Sequence, residues 1–474
     1  MLKTAVDSII AYIAPWRFGR RAPENMTKNR NGKKIRLKET QLLILGYLLV
    51  ILVGSFLLCL PAASRDGEWT NYADALFTAT SSTCVTGLVT VDTFLKWTGF
   101  GQVVILILIQ IGGLGFMTVI TTTLMVLGRK IGLYERKILM QSAGTMRLSG
   151  IVHLVRRITI GTAIFEGAGA LLLATRLCPK LGFWEGLYSS VFHSVSAFCN
   201  AGFDLMGRYG AFGSLAAFSG DWVVCLTIMG LIFMGGIGFI VWSDVLDCGF
   251  NPKKFSLHTK IALYGTTALI FAGALLFWLF EKNNLLVGKS AGESFLISMF
   301  MSVTPRTAGF ATINYAAATD SSLLLTMFLM LVGGSSGGTA GGIKVTTFVV
   351  IILGVVSSAR SDGDIVIGKR RLEKNLVNQA LGLLAVYLAA IFAAILIMSA
   401  IEPFSLADIG IEVFSAINTV GLSTGITPDL TLTSQIILML LMLMGRVGAL
   451  SFTLAFTQNK PILTKYPVEK ILIG

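Results

Sequence analysis

Eight long apolar stretches alternate with polar segments along this chain. They lie near 41–60, 100–127, 158–178, 221–246, 259–280, 322–351, 376–401 and 434–458. A helix needs roughly 20 apolar residues to cross a hydrocarbon core of about 30 Å, so each stretch is long enough to span a bilayer. We predict an all-α integral membrane fold with eight transmembrane helices. Because the number of spans is even, both termini lie on the same side.

Four shorter amphipathic stretches lie between successive pairs of spans, at 72–82, 184–197, 291–303 and 403–417. Each leads into a phrase that ends in glycine: Gly87, Gly202, Gly309 or Gly421. These glycines are separated by 115, 107 and 112 residues, a spacing typical of a tandem repeat. A second glycine landmark follows in each unit, at Gly112 and Gly113, Gly235 and Gly236, Gly333 and Gly334, and Gly445. The pattern predicts a 1–40 tail followed by repeats at 41–145, 146–256, 257–372 and 373–474.

The amphipathic stretches have a helical pattern but are mostly too short to cross a bilayer, so we interpret them as re-entrant half-helices. Four such helices around one pseudo-four-fold axis would direct their negative C-terminal ends at a central cation. Main-chain carbonyls past each helix end could then replace the hydration shell of the ion. The expected filter residues are Val85, Thr86, Gly87, Asn200, Ala201, Gly202, Thr307, Ala308, Gly309, Thr419, Val420 and Gly421. The alternative interpretation is four ordinary glycine-ended helix caps.

The sixth apolar stretch is interrupted at 333–342 by GGSSGGTAGG. Each glycine costs a helix about 1 kcal/mol relative to alanine, so the helix should unwind there. Irregular backbone at membrane depth must face protein or a water-filled cavity, which indicates an intramembrane gate rather than a flexible linker. The gate residues we expect are Gly333, Gly334, Gly337, Gly338, Gly341, Gly342, Lys344 and Arg446.

Three charged residues fall within apolar or filter segments, where an unpaired charge is unfavourable. Arg446 is expected to face the pore or to bond gate-loop carbonyls, and snorkelling to the membrane surface is the alternative. Arg306 should point outward, or lie behind its loop and pair with a carboxylate. Glu166 should bond a neighbouring half-helix.

Composition and charge agree with a membrane protein. The 474 residues are 54% hydrophobic and 13% charged, with a mean hydropathy of +0.77. The net charge of +13 is spread over the N-terminal tail and alternate loops, which predicts cytoplasmic termini by the positive-inside rule and no nucleic-acid partner. The six cysteines and three histidines lack metal-ligand spacing, so we expect no cofactor and no metal other than K⁺ at filter carbonyls.

The four glycine phrases, the basic tail that runs straight into the first span, and the GGSSGGTAGGIK stretch resemble the KtrB branch of the Trk/Ktr/HKT potassium transporter superfamily. The resemblance covers nearly the whole chain after residue 38. It implies potassium selectivity, because all four filter positions are glycine, and a loop that obstructs the pore until a regulatory ring moves it. It also implies a bacterial plasma-membrane homodimer, a cytoplasmic nucleotide-binding ring subunit of the RCK type, and stimulation by Na⁺.

Two other function classes share features with this sequence. An ion-coupled secondary cation transporter, such as a symporter, also uses broken helices at the midplane, but its repeats are commonly inverted, whereas these begin on one side. A membrane enzyme is disfavoured because no nucleophile with a base, histidine cluster or phosphate loop is present in the sequence. The sequence therefore predicts the pore subunit of a potassium uptake system.

Overall fold

The structure is a computed structural model that describes residues 27–28, 34–35, 39–127, 132, 150–360, 365–367, 370–372 and 374–448. Most of the predicted basic tail, residues 449–458 of the eighth predicted span and the C-terminal tail lie outside the described residues. Within the described part, nearly all regular structure is helical. The exceptions are two antiparallel strand pairs, β1 (Thr27–Lys28) with β2 (Lys34–Ile35), and β3 (Ile365–Ile367) with β4 (Arg370–Leu372).

The helices form four consecutive units of similar layout. The first contains α1 (Glu39–Cys59), α2 (Tyr72–Cys84), α3 (Thr93–Lys96), α4 (Gly99–Leu114) and α5 (Phe116–Val126). The second contains α6 (Ile151–Leu181), α7 (Phe183–Phe198), α8 (Trp222–Gly236) and α9 (Phe239–Asp247). The third contains α10 (Leu257–Glu281), α11 (Ala291–Val303), α12 (Asp320–Leu331) and α13 (Val345–Ala359). The fourth contains α14 (Lys374–Ile401), α15 (Leu406–Ile417) and α16 (Leu432–Val447).

Each unit therefore runs from a long first helix through a short helix to a second apolar helix. We call α2, α7, α11 and α15 the half-helices. The long helices α1, α6, α10 and α14 are each long and apolar enough to cross a membrane. They leave large side chains exposed along their outer faces, as in Phe56 (61%), Leu171 (70%) and Leu396 (73%). Such a surface is suited to lipid rather than water.

Polar caps explain where three of the half-helices begin. The side chains of Asn71, Ser290 and Ser405 accept hydrogen bonds from the first-turn amides of α2, α11 and α15. Ser290 and Glu293 form a complete capping box. The start of α7 follows Gly182, which has a φ of 87° and no side-chain cap.

The sequence predicted a break in the second apolar helix of the third unit. The structure shows breaks in the first and second units as well. Gly115 (φ 81°) separates α4 from α5 at a bend of 95°, and Gly238 (φ 99°) separates α8 from α9 at 87°. In the fourth unit, α16 ends at Gly448 (φ 91°). Positive φ is accessible to glycine without a Cβ clash, so each glycine allows a sharp turn that a continuous apolar run does not reveal.

The second glycine landmark packs the second helices against the half-helix ends. A methyl group built on Gly112 would overlap the carbonyl oxygen of Thr83 at the end of α2. A methyl group on Gly235 would overlap the carbonyl oxygen of Phe198. A methyl group on Gly445 would overlap the carbonyl oxygen of Ile417. These carbonyls each lie four residues before a filter-phrase glycine, so three units share one close backbone contact.

We predict that Gly235→Ala lowers the melting temperature of the detergent-purified protein, because overpacking costs about 1–3 kcal/mol. Gly230→Ala is the matched control, since Gly230 lies in the same helix with nothing within 4 Å of an added Cβ. The control should melt at or above the wild-type temperature. Equal melting temperatures for both variants, measured by thermal-shift fluorescence, would contradict the proposed contact.

Candidate functional site

The four glycine-ended segments come together in a closed ring. We call residues 85–87, 200–202, 307–309 and 419–421 the glycine segments. A Cβ built on the glycine of each segment would crowd the main-chain oxygen just before the glycine of the next. The pairs, in ring order, are Gly87 with Ala201, Gly202 with Ala308, Gly309 with Val420, and Gly421 with Thr86. The last pair closes the ring, so the four glycines and the four residues before them meet at one place.

The backbone of the glycine segments alternates in handedness. The residue two before each glycine has positive φ: Val85 (57°), Asn200 (58°), Thr307 (70°) and Thr419 (50°). The glycines themselves have φ between 72° and 97°. Positive φ is a genuine outlier for a β-branched side chain, and such conformations persist only where the surroundings enforce them. The same unusual geometry therefore recurs in four segments whose side chains differ.

Hydroxyl groups on the half-helices hold the glycine segments. Ser81 Oγ accepts a hydrogen bond from the Gly87 amide (3.0 Å), and Ser415 Oγ accepts one from the Gly421 amide (2.9 Å). Ser196 in the second unit instead donates to the Phe203 carbonyl (2.7 Å). Sequence reasoning missed these residues, although each serine lies six residues before its glycine.

The third unit uses a different hydroxyl. Val303 occupies the position of those serines, and Thr304 Oγ1 donates to the Phe310 carbonyl at 2.5 Å. The Ala308 amide bonds Thr304 O at 3.0 Å, whereas the corresponding amides of the other units bond the serine carbonyls at 2.8 Å. The third glycine segment is therefore supported differently from the other three.

The stretch 333–342, which we call the glycine loop, lies against the half-helix ends and the glycine segments. The amides of Ser335 and Thr339 donate to the carbonyls of Gly236 (2.8 Å) and Gly235 (3.1 Å). Thr339 Oγ1 donates to Phe198 O at 3.1 Å, at the end of α7. A methyl group built on Gly341 would overlap the Thr419 side chain. The loop thus contacts the second and fourth units while it belongs to the third.

Two main-chain bonds close the neck of the glycine loop. The Gly333 amide donates to Ile343 O (2.9 Å), and the Val345 amide donates to Gly334 O (3.0 Å). Lys344 folds back over the loop, where its Nζ donates to the carbonyls of Ala340 (2.6 Å) and Gly341 (3.1 Å). The loop is a packed structure whose carbonyls are used, unlike a solvated linker.

Arg446 joins the glycine loop to the first unit. Its Nη1 donates to Thr339 O, and its Nη2 donates to the carbonyls of Gly112 and Gly113, the latter at 2.9 Å. The side chain is half-buried and bonds main-chain carbonyls, which agrees with the interpretation that it bonds loop carbonyls. One guanidinium therefore links the first, third and fourth units.

Glu166 links spans and a half-helix near the second glycine segment. Its Oε2 accepts from Gln110 Nε2 (3.3 Å), and its main-chain oxygen accepts from Ser194 Oγ (2.6 Å) on α7. The predicted contact with a neighbouring half-helix thus runs mainly through the backbone of Glu166, and its carboxylate Oε1 also accepts a weak hydrogen bond from Cys199 Sγ (3.9 Å) at the end of α7.

The site combines negative helix ends with fixed positive side chains. The C-terminal ends of the four half-helices lead directly into the ring, where their partial charge favours a cation. Lys344, Arg446 and Arg306 surround the glycine loop, and their hydrogen-bond partners are carbonyl and hydroxyl oxygens. Among the described residues, the ion pairs involve other side chains. No cluster of metal-ligating side chains occurs in that part of the chain.

Comparison with known proteins gives extensive similarity. The profile of the TrkH family, described as cation transport protein, matches residues 40–463. The potassium/sodium uptake protein NtpJ of Enterococcus hirae is 39% identical over 457 residues, which cover 95% of this chain and 100% of that protein. The Ktr system potassium uptake protein B of Bacillus subtilis is 38% identical over 451 residues, with 95% and 100% coverage.

A solved structure has the same architecture. The crystal structure of the potassium transporter TrkH from Vibrio parahaemolyticus superposes with a TM-score of 0.70 at 19% identity. The match covers 96% of this chain and 97% of the other. At this identity the likeness concerns the fold, and it confirms the predicted all-helical membrane architecture.

We predict that Arg446→Gln increases hydrogen exchange in the glycine loop, because the loop loses the donor at Thr339 O. Deuterium uptake by peptides that cover 333–345 should rise, and uptake across α10 should stay unchanged. Arg157→Gln is the control, since it removes a half-exposed guanidinium that bonds Asp247 far along the chain from the loop. Unchanged exchange in the Arg446 variant would show that other contacts suffice to hold the loop.

Proposed function

The chain belongs to the TrkH family of cation transport proteins, a family of membrane ion transporters rather than enzymes, and we propose that it is the pore subunit of a potassium uptake system. The closed ring of glycine segments is the single observation that carries this proposal. Several relatives are named as potassium uptake proteins, which supports potassium as the transported ion.

The ring is proposed to act as the selectivity filter. Main-chain carbonyls of the four glycine segments replace the water around a dehydrated K⁺, and the half-helix ends stabilise its charge. Side chains differ between segments while the backbone geometry recurs, so selection rests on the main chain. The proposal includes all twelve residues of 85–87, 200–202, 307–309 and 419–421. No cofactor other than the transported ion is needed for this role.

The glycine loop is proposed to be the gate. It packs against the half-helix ends, and Lys344 and Arg446 place two positive charges beside it. A fixed positive charge raises the barrier to a passing cation, and the bonded loop occupies space that the ion would cross. Opening then requires that the bonds from Arg446 to Thr339 and from Lys344 to Ala340 be broken.

The chain is proposed to work with other subunits. Relatives are named as Ktr system proteins, and the family resemblance implies a homodimer with a cytoplasmic nucleotide-binding ring of the RCK type. Basic residues such as Lys253, Lys254 and Arg360 fall on the side that the positive-inside rule assigns to the cytoplasm. We propose that this face receives the ring, that both termini are cytoplasmic, and that the membrane is the bacterial plasma membrane.

Coupled transport is the second candidate function, because one relative is named a potassium/sodium uptake protein. In this alternative, inward Na⁺ movement would drive or stimulate potassium uptake. The two candidates differ in a simple measurement. An imposed Na⁺ gradient should concentrate rubidium-86 in proteoliposomes only if transport is coupled, whereas a passive pore equilibrates rubidium with the membrane potential.

We predict that Gly87→Ser weakens discrimination between potassium and sodium. An added Cβ would lie 2.5 Å from the Ala201 carbonyl oxygen, so that ring member must shift. In rubidium-86 uptake with cold competitors, the preference for K⁺ over Na⁺ should fall roughly tenfold, which corresponds to about 1.4 kcal/mol. Gly99→Ser is the control, because an added Cβ there meets nothing within 4 Å. Wild-type competition in the Gly87 variant would argue against the filter.

We predict that deletions within residues 335–341 raise rubidium flux several-fold in the absence of any partner subunit. The deletions remove the loop that Arg446 and Lys344 hold against the ring. Flux is measured per correctly folded molecule in proteoliposomes. A deletion at the exposed outer turn near residue 288 controls for shortening in general. Equal or lower flux in a well-folded loop variant would count against a gate.

A further inference from the structure

Arg306 is a buried cation within the third filter phrase, and its position distinguishes this unit from the others. It lies between α11 and the third glycine segment, three residues before Gly309, and is 5% exposed. The residues three before the other ring glycines are Cys84, Cys199 and Asn418. Only the third unit places a long charged side chain behind its glycine segment.

The guanidinium of Arg306 bridges two elements. Its Nη1 donates to the main-chain oxygen of Thr266 (3.0 Å), and its Nη2 donates to Thr266 Oγ1 (3.3 Å). The same Nη2 donates to the main-chain oxygen of Gly333 (3.1 Å). Arg306 therefore ties the first residue of the glycine loop to α10, a long helix that provides a firm attachment.

Gly333 connects the glycine loop to the ring. Its amide closes the neck of the loop by bonding Ile343 O, while its carbonyl accepts from Arg306. A methyl group built on Gly333 would lie 3.2 Å from the side-chain methyl of Thr307, the first residue of the third glycine segment. Arg306 precedes Thr307 directly in the chain. The neck and the segment are thus joined twice, by a hydrogen bond and by packing.

Packing beside this junction is incomplete. A small cavity of about 20 Å³ lies beside it, lined by Arg306, Gly334, Thr266 and apolar residues of α8 and α10. Arg306 Nε is buried without a hydrogen-bond partner. Charge-assisted hydrogen bonds are about twice as strong as neutral ones, and the planar fork of arginine can reach two acceptors at once. The fork therefore adds a directional contact to the packing between Gly333 and Thr307.

We propose that Arg306 is a positioning residue that couples the neck of the glycine loop to the third glycine segment, so that displacement of the loop changes ion selection at Thr307 and Ala308. The proposal rests on the proposed function, since it presupposes that the ring selects ions and that the loop gates them. It assigns to the third unit a role that its neighbours, with Cys84, Cys199 and Asn418, do not share.

A double-mutant cycle on the full-length chain tests this coupling. Rubidium-86 uptake with K⁺ or Na⁺ as competitor is measured for the wild type, for a chain shortened within 335–341, for Arg306→Gln, and for the combination. Shortening should lower the preference for K⁺ over Na⁺ by about threefold or more in the wild-type background and by less than about 1.5-fold in the Arg306→Gln background. Arg306→Lys should behave like the glutamine variant, because an ammonium keeps the charge but lacks the fork.

Two further variants separate coupling from folding. Thr266→Val removes one acceptor at nearly constant volume, and it should produce a smaller change in ion preference even if the Arg306 variants fold poorly. Arg176→Gln removes a charge near Asp221 and should leave ion preference unchanged. A purely structural role would reduce the amount of folded protein and scale the uptake of all ions equally, without changing their competition.

The outcomes distinguish this proposal from the function on which it rests. Additive effects of loop shortening and Arg306→Gln on ion preference would overturn the coupling while leaving the filter and gate intact. Absence of rubidium uptake by both the wild-type and the loop-shortened chain would overturn the proposed function and the coupling together.

Discussion

Main-chain polar groups at membrane depth must find partners, and the rest of this structure follows from how they do so. The glycine segments leave helical geometry in the protein interior, where other protein groups must supply their hydrogen bonds. Ser81 and Ser415 on the half-helices accept hydrogen bonds from ring-glycine amides, and Thr304, just after α11, donates to the Phe310 carbonyl just after the third segment. Glycines in the second helices, such as Gly235, bring those helices against the half-helix ends without a side chain between. The ring is therefore a set of strained backbones that tightly packed neighbours enforce.

The same constraint governs the glycine loop. An unwound helix exposes several carbonyl oxygens, and the structure satisfies them with cationic side chains as well as amides. Arg446, Lys344 and Arg306 bond the loop at Thr339, Ala340 and Gly333 respectively. Each of these bonds also places a cationic side chain beside the glycine loop. In the gate that we propose, the groups that satisfy the loop backbone would also obstruct the ion, so opening would break these hydrogen bonds.

Sequence reasoning was strongest where it depended on spacing and weakest where it depended on single conformations. The recurrence of Gly87, Gly202, Gly309 and Gly421 predicted which residues meet, because a repeated unit places equivalent residues at equivalent positions. The breaks at Gly115 and Gly238 were missed, since a glycine inside a continuous apolar run carries no signal of its φ. The serine six residues before three of the glycines was a readable signal that went unused. The hydrogen-bond partners of Arg306 could not be predicted from sequence, because Thr266 and Gly333 come within its reach only when the helices are packed.

The sequence by itself determined the membrane class, the half-helices, the four glycine positions and the unwound sixth helix. Hydropathy, length and glycine content are local properties, and each one directly limits which backbone structure a segment can form. The tertiary structure alone decided the cyclic order of the glycine segments and the partners of Arg446, Arg306 and Glu166. Those contacts join residues up to 334 positions apart in the chain. The pairing of buried donors with carbonyl oxygens outside helices depends on how whole helices pack. That packing depends on the entire chain and cannot be predicted from any single segment.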